Sequence, residues 1–338
     1  MSSIPTIAKA WRYPPTEPSS WNAYHSLELQ DVQVPAPGRG EVLVKMRAVA
    51  LNNRVIRGVY PLPGFTTGPD GKGLIPTSDG AGDIVAVGEG VDAWVAEYAQ
   101  VFLGSKVQGC LTQYRIFPAD FILPIPDHLS YEESASVICA GITAYNALFE
   151  YESITPDSTV LVLGSGGISV LGAQLAKAAG ARVIATTSSE EKAQKYKALG
   201  ADYVINYRKV PNWAEEVKKV TGGQGVDHVL EIGGKGTLME AVRSIKVKGV
   251  VHIIGLPEDE APATALYDLA AALVFSQGKT NGVATGGKDL AQRLDSFISK
   301  HNLKPWLDSK IFRWEEAREA YGYFQSGAHF GKVVIRID

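Results

Sequence analysis

Residues 159–163 read TVLVL, and Gly164-Ser165-Gly166-Gly167-Ile168-Ser169 follows directly. A short continuous apolar run suits a strand buried on both faces of a parallel sheet. A glycine-rich turn between such a strand and a helix leaves few folds open to the chain. The first glycine permits the tight turn, and the second lets backbone approach a pyrophosphate. The helix start then offers free N–H groups and the positive end of its dipole. The third position of the G-x-G-x-x-G pattern is Ser169, small enough for close packing of helix on strand. Gly164, Ser165, Gly166, Gly167 and Ile168 are therefore candidate cofactor contacts. The competing explanation is a glycine-rich βα turn that binds nothing.

The alternation continues downstream. Helices are expected at 168–179, 190–199, 213–220 and 237–245. Strands are expected at 182–186, 203–206, 226–232 and 250–254, with a sixth near 278–283. Regular strand–helix alternation of this kind builds a doubly wound parallel sheet with helices on both faces. Upstream, residues 41–50 (EVLVKMRAVA) and 84–87 (IVAV) read as strands among Pro- and Gly-rich turns. Beyond about residue 286 one amphipathic helix (289–300) and a last strand (333–337) are expected, the strand rejoining the N-terminal sheet. A chain of 338 residues is long enough for two cores. The expected organisation is α/β: a β-rich domain of residues 1–125 and 286–338, with a Rossmann domain, 126–285, inserted in it.

Thirty-three Lys and Arg against 36 Asp and Glu give a net charge of −3, with no basic footprint for nucleic acid or an anionic membrane. The longest apolar run, 269–275, is far too short for a membrane span. The N-terminal residues carry no signal-peptide core, and two cysteines build neither a disulfide scaffold nor a Cys-rich zinc lobe. A cytoplasmic protein with a small-molecule substrate is expected. The sixth strand would end the sheet in an open edge, and open edges invite pairing with a second chain. A homodimer is expected.

The end of the second strand reads Thr186-Thr187-Ser188-Ser189-Glu190-Glu191-Lys192. NAD sites place an acid at that strand end to hold the ribose 2′-hydroxyl. Here small hydroxyl residues stand there, with Lys192 a helical turn beyond. Hydroxyls and an ammonium would bind a 2′-phosphate that a carboxylate would repel. Thr187, Ser188, Lys192 and Tyr207 therefore favour NADP. A helix cap at Ser188 or Ser189 and a solvated Lys192 are the alternative, and Glu190 and Glu191 count against the phosphate. Gly233, Ile254, Gly255, Leu256 and Val283, around the ends of the later strands, complete the candidate cofactor contacts.

The chain resembles the medium-chain dehydrogenase/reductase superfamily along nearly its whole length. The likeness rests on residues 32–44 (VQVPAPGRGEVLV), 50–54 (ALNNR), 78–88 (SDGAGDIVAVG), 139–145 (CAGITAY), the glycine turn, and 330–334 (FGKVV). It implies a GroES-like catalytic domain around the inserted Rossmann domain, an active site in the cleft between them, and a homodimer. Zinc-dependent members hold their catalytic metal with a Cys, a Gly-His-Glu histidine and a second Cys. Those positions match Asn52, Ser78 and Cys139 here, and a single thiolate does not hold tetrahedral zinc. No metal is expected, and Cys139 is read as a buried small hydrophobe.

The chain thus resembles the zinc-independent, quinone oxidoreductase-like branch. Its members transfer hydride from NADPH to an activated double bond of an enone, or to a quinone. Asn52, Ser78 and Thr143 are the implied catalytic positions, and Asn52 and Thr143 also contact the cofactor. Tyr60 is a candidate for the substrate pocket. The alternatives are a metal-free alcohol or aldehyde dehydrogenase and a non-enzymatic NADPH-binding protein.

Overall fold

A computed structural model of the chain describes residues 4–16, 21–53, 71–91, 107–255 and 266–338. These form two compact units, one of residues 1–139 and 287–338, the other of residues 140–286.

In the first unit β1 (Ile7–Arg12) pairs antiparallel with β2 (Glu28–Gln33). The long strand β3 (Glu41–Ala50) is the hub of a second sheet. It lies antiparallel to β4 (Asp79–Val87), to β5 (Tyr114–Pro118) and to the last strand, β13 (Lys332–Arg336). β13 in turn runs parallel to β12 (Leu307–Phe312). β4 is longer than the expected 84–87, because its small first residues Gly80, Ala81 and Gly82 fit tightly against β3. A register irregularity between Met46 and Ala48 switches the faces of β3. Before it, Val42, Val44 and Met46 enter the main apolar core with Leu27, Phe312 and Tyr321; after it, Val49 and Leu51 do. Ala48 and Ala50 instead form a small-residue cluster with Ala81, Ala135 and Val334.

The helix α1 (Tyr131–Phe149) carries the chain from the first unit into the second. It is apolar nearly all round, with residues 134–138 and 140–144 buried. A helix without a polar stripe gives no amphipathic signal, which is why the pattern did not assign it. The second unit then alternates β6 (Thr159–Val162), α2 (Gly167–Ala178), β7 (Arg182–Thr187), α3 (Glu190–Leu199), β8 (Tyr203–Asn206), α4 (Trp213–Val220), β9 (Val226–Glu231), α5 (Leu238–Ser244), β10 (Ile245–Ile253), α6 (Leu266–Ser276) and β11 (Lys279–Gly282). The six strands are all parallel, in the order β11-β10-β9-β6-β7-β8. Counted from β6 that is the Rossmann order, with its crossover reversal between β6 and β9. The expected helix at 237–245 ends at Ser244, since Ile245 already pairs with Val226. α7 (Lys288–Lys300) and α8 (Ala317–Gln325) return to the first unit. Among the described residues no helix is long and apolar enough to cross a membrane.

His252 is wholly buried in β10. Its Nε2 lies 3.0 Å from Nδ1 of His228, and its Nδ1 lies 3.2 Å from Nδ2 of Asn281. An amide nitrogen only donates, so Asn281 makes His252 Nδ1 an acceptor and leaves Nε2–H to donate to His228. The chain of tautomers closes only if both rings are neutral. Burial pushes His252 down to about 3 and pushes His228 down as well. Both folded values lie below the unfolded one, so their contribution is present above about pH 6.5 and is lost as pH falls, when only the unfolded chain binds the protons. Each ring should cost about 1.4 kcal/mol of stability per pH unit between that pH and its folded value. Thermal unfolding followed from neutral to acid pH should show this slope, and His228→Leu/His252→Leu should flatten it. Equal slopes in both proteins would contradict the assignment.

Candidate functional site

The first unit gathers its polar groups where three strands end together. Ala50 of β3 pairs with Asp79 of β4 on one side and Val334 of β13 on the other. Antiparallel register therefore carries Lys332 back to the level of Asn52. Lys332 Nζ donates to Leu51 O (3.0 Å), Asn52 Oδ1 (2.8 Å) and Asp79 Oδ2 (3.0 Å). Both members of the Lys332–Asp79 ion pair are buried, with side chains 2% and 0% exposed. Ser78 Oγ donates to Asp79 Oδ1 (2.6 Å) and accepts from Asn52 Nδ2 (3.1 Å). The Cys139 backbone N–H donates to Asp79 Oδ2 (3.3 Å). The three positions matched to metal ligands are thus tied together through Asp79. Cys139 is half-buried, where a buried small hydrophobe is expected. The other thiol, Cys110, is fully buried and pushed up to about 12 by that burial.

Thr77, just before Ser78, has φ +70°. For a β-branched residue that left-handed conformation is strained. Thr77 is fully buried, and its hydroxyl has no hydrogen-bond partner among the described residues.

In the second unit the candidate cofactor residues stand at the carboxyl ends of the parallel strands, where open α/β sheets bind ligands. Gly164 takes φ +73°. Its N–H donates to Thr186 Oγ1 (3.2 Å) and its carbonyl accepts from the buried Tyr196 hydroxyl (2.7 Å). Ser169 Oγ donates to Leu163 O (2.6 Å), so the hydroxyl that replaces the third glycine braces the turn. Gly166 is the N-cap of α2, and a Cβ built on it would meet nothing within 4 Å. Open space thus lies above helix N–H groups that no side chain caps, a geometry that suits an anion. Ser165, Gly167 and Ile168 complete the turn.

At the end of β7 Thr187 is fully buried, its hydroxyl without a partner among the described residues, and its carbonyl accepts from Tyr207 N–H (3.0 Å). Ser189, not Ser188, caps α3 by accepting from Lys192 N–H (3.3 Å). Lys192 is only 8% exposed, unlike a solvated surface charge. Glu190 pairs with Lys209 (3.1 Å) and Glu191 with Lys195 (2.9 Å), so both acids of this stretch have a cation beside them. The lysine holds the Glu190 carboxyl below its ordinary range. Beyond β9, the buried Glu231 carboxylate accepts from Gly233 N–H (3.0 Å), Gly234 N–H and the Thr237 hydroxyl, which fixes the turn at Gly233. Ile254 and Gly255 both donate their N–H to Glu231 O (2.9 and 3.2 Å). Gly255 packs so closely on Ile232 backbone that no Cβ would fit. Val283 N–H donates to Ile253 O (2.9 Å). Thr143 is buried in the part of α1 that belongs to this unit. Leu256 and Tyr60 lie outside the described residues.

Sequence reasoning missed Lys332, which it met only as part of the FGKVV motif, and Glu231. Asp79 likewise entered only as part of the 78–88 motif. An acid at a strand end, one residue before two glycines, was the available signal for Glu231.

Two family models match the chain: "Alcohol dehydrogenase GroES-like domain" over residues 38–127 and "Zinc-binding dehydrogenase" over residues 167–300. A "zinc-type alcohol dehydrogenase-like protein" of Schizosaccharomyces pombe is 35% identical, over 94% of this chain and 97% of its own. A 2-haloacrylate reductase of a Burkholderia species is 26% identical, over 90% and 93%. Among solved structures, a mycobacterial protein complexed with NADPH superposes with a TM-score of 0.79 at 26% identity, covering 97% of this chain and 99% of that one.

The second of these models implies zinc, and the residues here do not fit it. The matched positions hold an amide, a hydroxyl and one thiol, not the thiolate and imidazole set zinc takes. The amide oxygen already accepts from an ammonium at 2.8 Å, a poor neighbour for a dication. Among the described residues no group of three or more His, Cys, Asp or Glu could hold a metal ion.

Proposed function

The chain belongs to the medium-chain dehydrogenase/reductase superfamily, and from that premise we propose that it is an NADPH-dependent, metal-free reductase acting on a small molecule, an enone or a quinone. The observation that carries this reading is the Asn52–Ser78–Asp79–Lys332 network, an organised set of hydrogen bonds where zinc-dependent relatives keep their metal. The zinc-independent, quinone oxidoreductase-like branch has the same requirement: carbonyl polarisation by donors instead of a Lewis acid. The Burkholderia relative is named as a reductase of 2-haloacrylate, a compound that carries a carbon–carbon double bond beside a carboxylate.

When bound, a nicotinamide supplies the hydride, and the protein supplies grip and orientation. Residues 164–168 would hold the pyrophosphate through backbone N–H groups, with Gly166 leaving it room. Thr187, Ser188, Lys192 and Tyr207 would hold the 2′-phosphate, and Gly233, Ile254, Gly255, Leu256 and Val283 the rest of the cofactor. Thr143 would position its nicotinamide end. The N–H of Asn52 would donate to the substrate oxygen as negative charge gathers there, once hydride has reached the β-carbon. The carbon α to the carbonyl then takes a proton from solvent. The named alternative, a metal-free carbonyl dehydrogenase, is separated by substrate choice. The proposal expects turnover of an alkenal, by enzyme free of stoichiometric zinc, and little turnover of a saturated aldehyde of equal length. The reverse preference would sink it.

Lys192→Ala should weaken NADPH and spare NADH. One lost charge-assisted bond to phosphate costs roughly 1.5–3 kcal/mol, about tenfold to more than a hundredfold in affinity. Titrations of both cofactors check this, and equal losses would refute the 2′-phosphate site.

We also propose a homodimer. β11 is a strand of four residues that, among the described residues, pairs with β10 alone. The neighbouring α6 has no buried residue, and Tyr267 and Phe275 on it are 82% and 86% exposed. Apolar exposure beside an open edge suits a two-fold interface. Light scattering should give twice the chain mass of 36.2 kDa, and Tyr267→Asp/Phe275→Asp should give the single-chain mass. A wild-type monomer at micromolar concentration would contradict the dimer.

A further inference from the structure

A side-chain amide can present either of two opposite faces, an N–H donor or a carbonyl acceptor. Density or packing alone seldom distinguishes them, and the hydrogen-bond network decides. At Asn52 the network admits one answer. Lys332 carries three protons and no lone pair, so the atom 2.8 Å from its Nζ must be the amide oxygen. Its other two protons go to Leu51 O and Asp79 Oδ2, so the ammonium is fully used and held in place. The Ser78 proton goes to Asp79 Oδ1, which leaves the serine oxygen to accept from Asn52 Nδ2. One amide N–H then remains, without an acceptor among the described residues. Had a neutral group replaced Lys332, the amide could turn over and offer its carbonyl instead, which would repel a developing oxyanion.

We propose that Lys332 is a positioning residue of the reaction: with Asp79 it locks the Asn52 amide so that the group facing the substrate is an N–H. The proposal rests on the reductase reading above for the identity of the oxygen that receives this N–H. Ser78 is placed by the same lock and serves as a relay of orientation, since its own proton is committed to Asp79. The arrangement also accounts for the burial of an ion pair, which is costly to desolvate and is weak evidence of stability in itself.

Asn52→Asp separates the two faces of the amide. It keeps the oxygen that Lys332 addresses and removes the N–H. Turnover should fall about 10²-fold or more, as far as in Asn52→Ala, and thermal unfolding is read beside it, since the new carboxylate oxygen faces Ser78 Oγ, whose proton is committed to Asp79. The lock itself is read without any activity, by ¹³C NMR of aspartate-labelled Asn52→Asp, where the new carboxyl at position 52 is titrated. Beside Lys332 it should stay ionised to a pH below the ordinary aspartate value of about 3.9. The titration is repeated with Lys332→Met/Asp79→Asn added, which removes the buried charges as a pair so that neither is left uncompensated. There the carboxyl should titrate above the ordinary value. Identical titration in the two backgrounds overturns the lock, whatever the activity. Near-wild-type turnover by Asn52→Asp overturns the N–H as the presented group. The expected titrations in a protein that reduces no enone or quinone would uphold the lock and overturn the reductase reading instead.

Discussion

Asn52→Ala is expected to lower turnover about 10²–10³-fold, the usual cost of losing one preorganised donor to a developing oxyanion, about 2.7–4 kcal/mol. NADPH affinity should barely change. The cofactor's grip is assigned to the glycine turn and the 2′-phosphate residues, all in the unit that does not contain Asn52. The substitution also strips an acceptor from Lys332 and a donor from Ser78, so unfolding temperatures belong beside the kinetics. A loss of turnover with intact unfolding and intact cofactor titration identifies a reaction-specific role. Retention of more than about half the turnover would reduce Asn52 to a loop residue and move the search for the donor to Thr143, or to Tyr60 outside the described residues.

Gly166→Val is expected to do the opposite. At φ −79° and ψ 176° this residue is extended, a conformation valine adopts without strain, and its Cβ position is empty of protein atoms. The fold should therefore survive. The new side chain would fill the space assigned to the pyrophosphate and displace at least two charge-assisted bonds from backbone N–H groups. At roughly 1.5–3 kcal/mol each, affinity for NADPH and NADH alike should fall by about 10²-fold or more. Fluorescence titration of both cofactors measures it. Unchanged affinity would remove the glycine turn from the binding site. Gly255→Val is the contrasting control, because its side chain would run into Ile232 backbone and should damage the fold itself.

The parallel-sheet unit was legible because its signals are local. Its first strands are short apolar runs, their helices follow within a few residues, and the glycine turn lies in the chain where it lies in space; the polar β11 (KTNG) and α6, which starts well after β10, carry weaker signals. α3, β8 and α4 occupy the expected residues. Signals failed where burial or distance replaced local pattern. α1 is enclosed nearly all round, so its sequence lacks the polar stripe that marks a helix. α8 and β12 depend on packing against strands far away in the chain. The polar network was half visible: motif order pointed to Asn52 and Ser78, and nothing in the sequence joined them to Lys332, 280 residues away from Asn52. That partnership is made by the pairing of Val334 with Ala50, a register set by the fold. The left-handed Thr77 was equally hidden, since a β-branched residue is the last expected in that conformation.

The central claim is that this protein delivers hydride to a carbon–carbon double bond whose carbonyl oxygen is held by a donor. Its most direct test is product analysis after reduction of an enal with NADPH deuterated at the transferable position. The account predicts deuterium on the β-carbon of a saturated aldehyde, with the α-carbon protonated from water. Deuterium on the carbinol carbon of an allylic alcohol would mean carbonyl reduction and would contradict it.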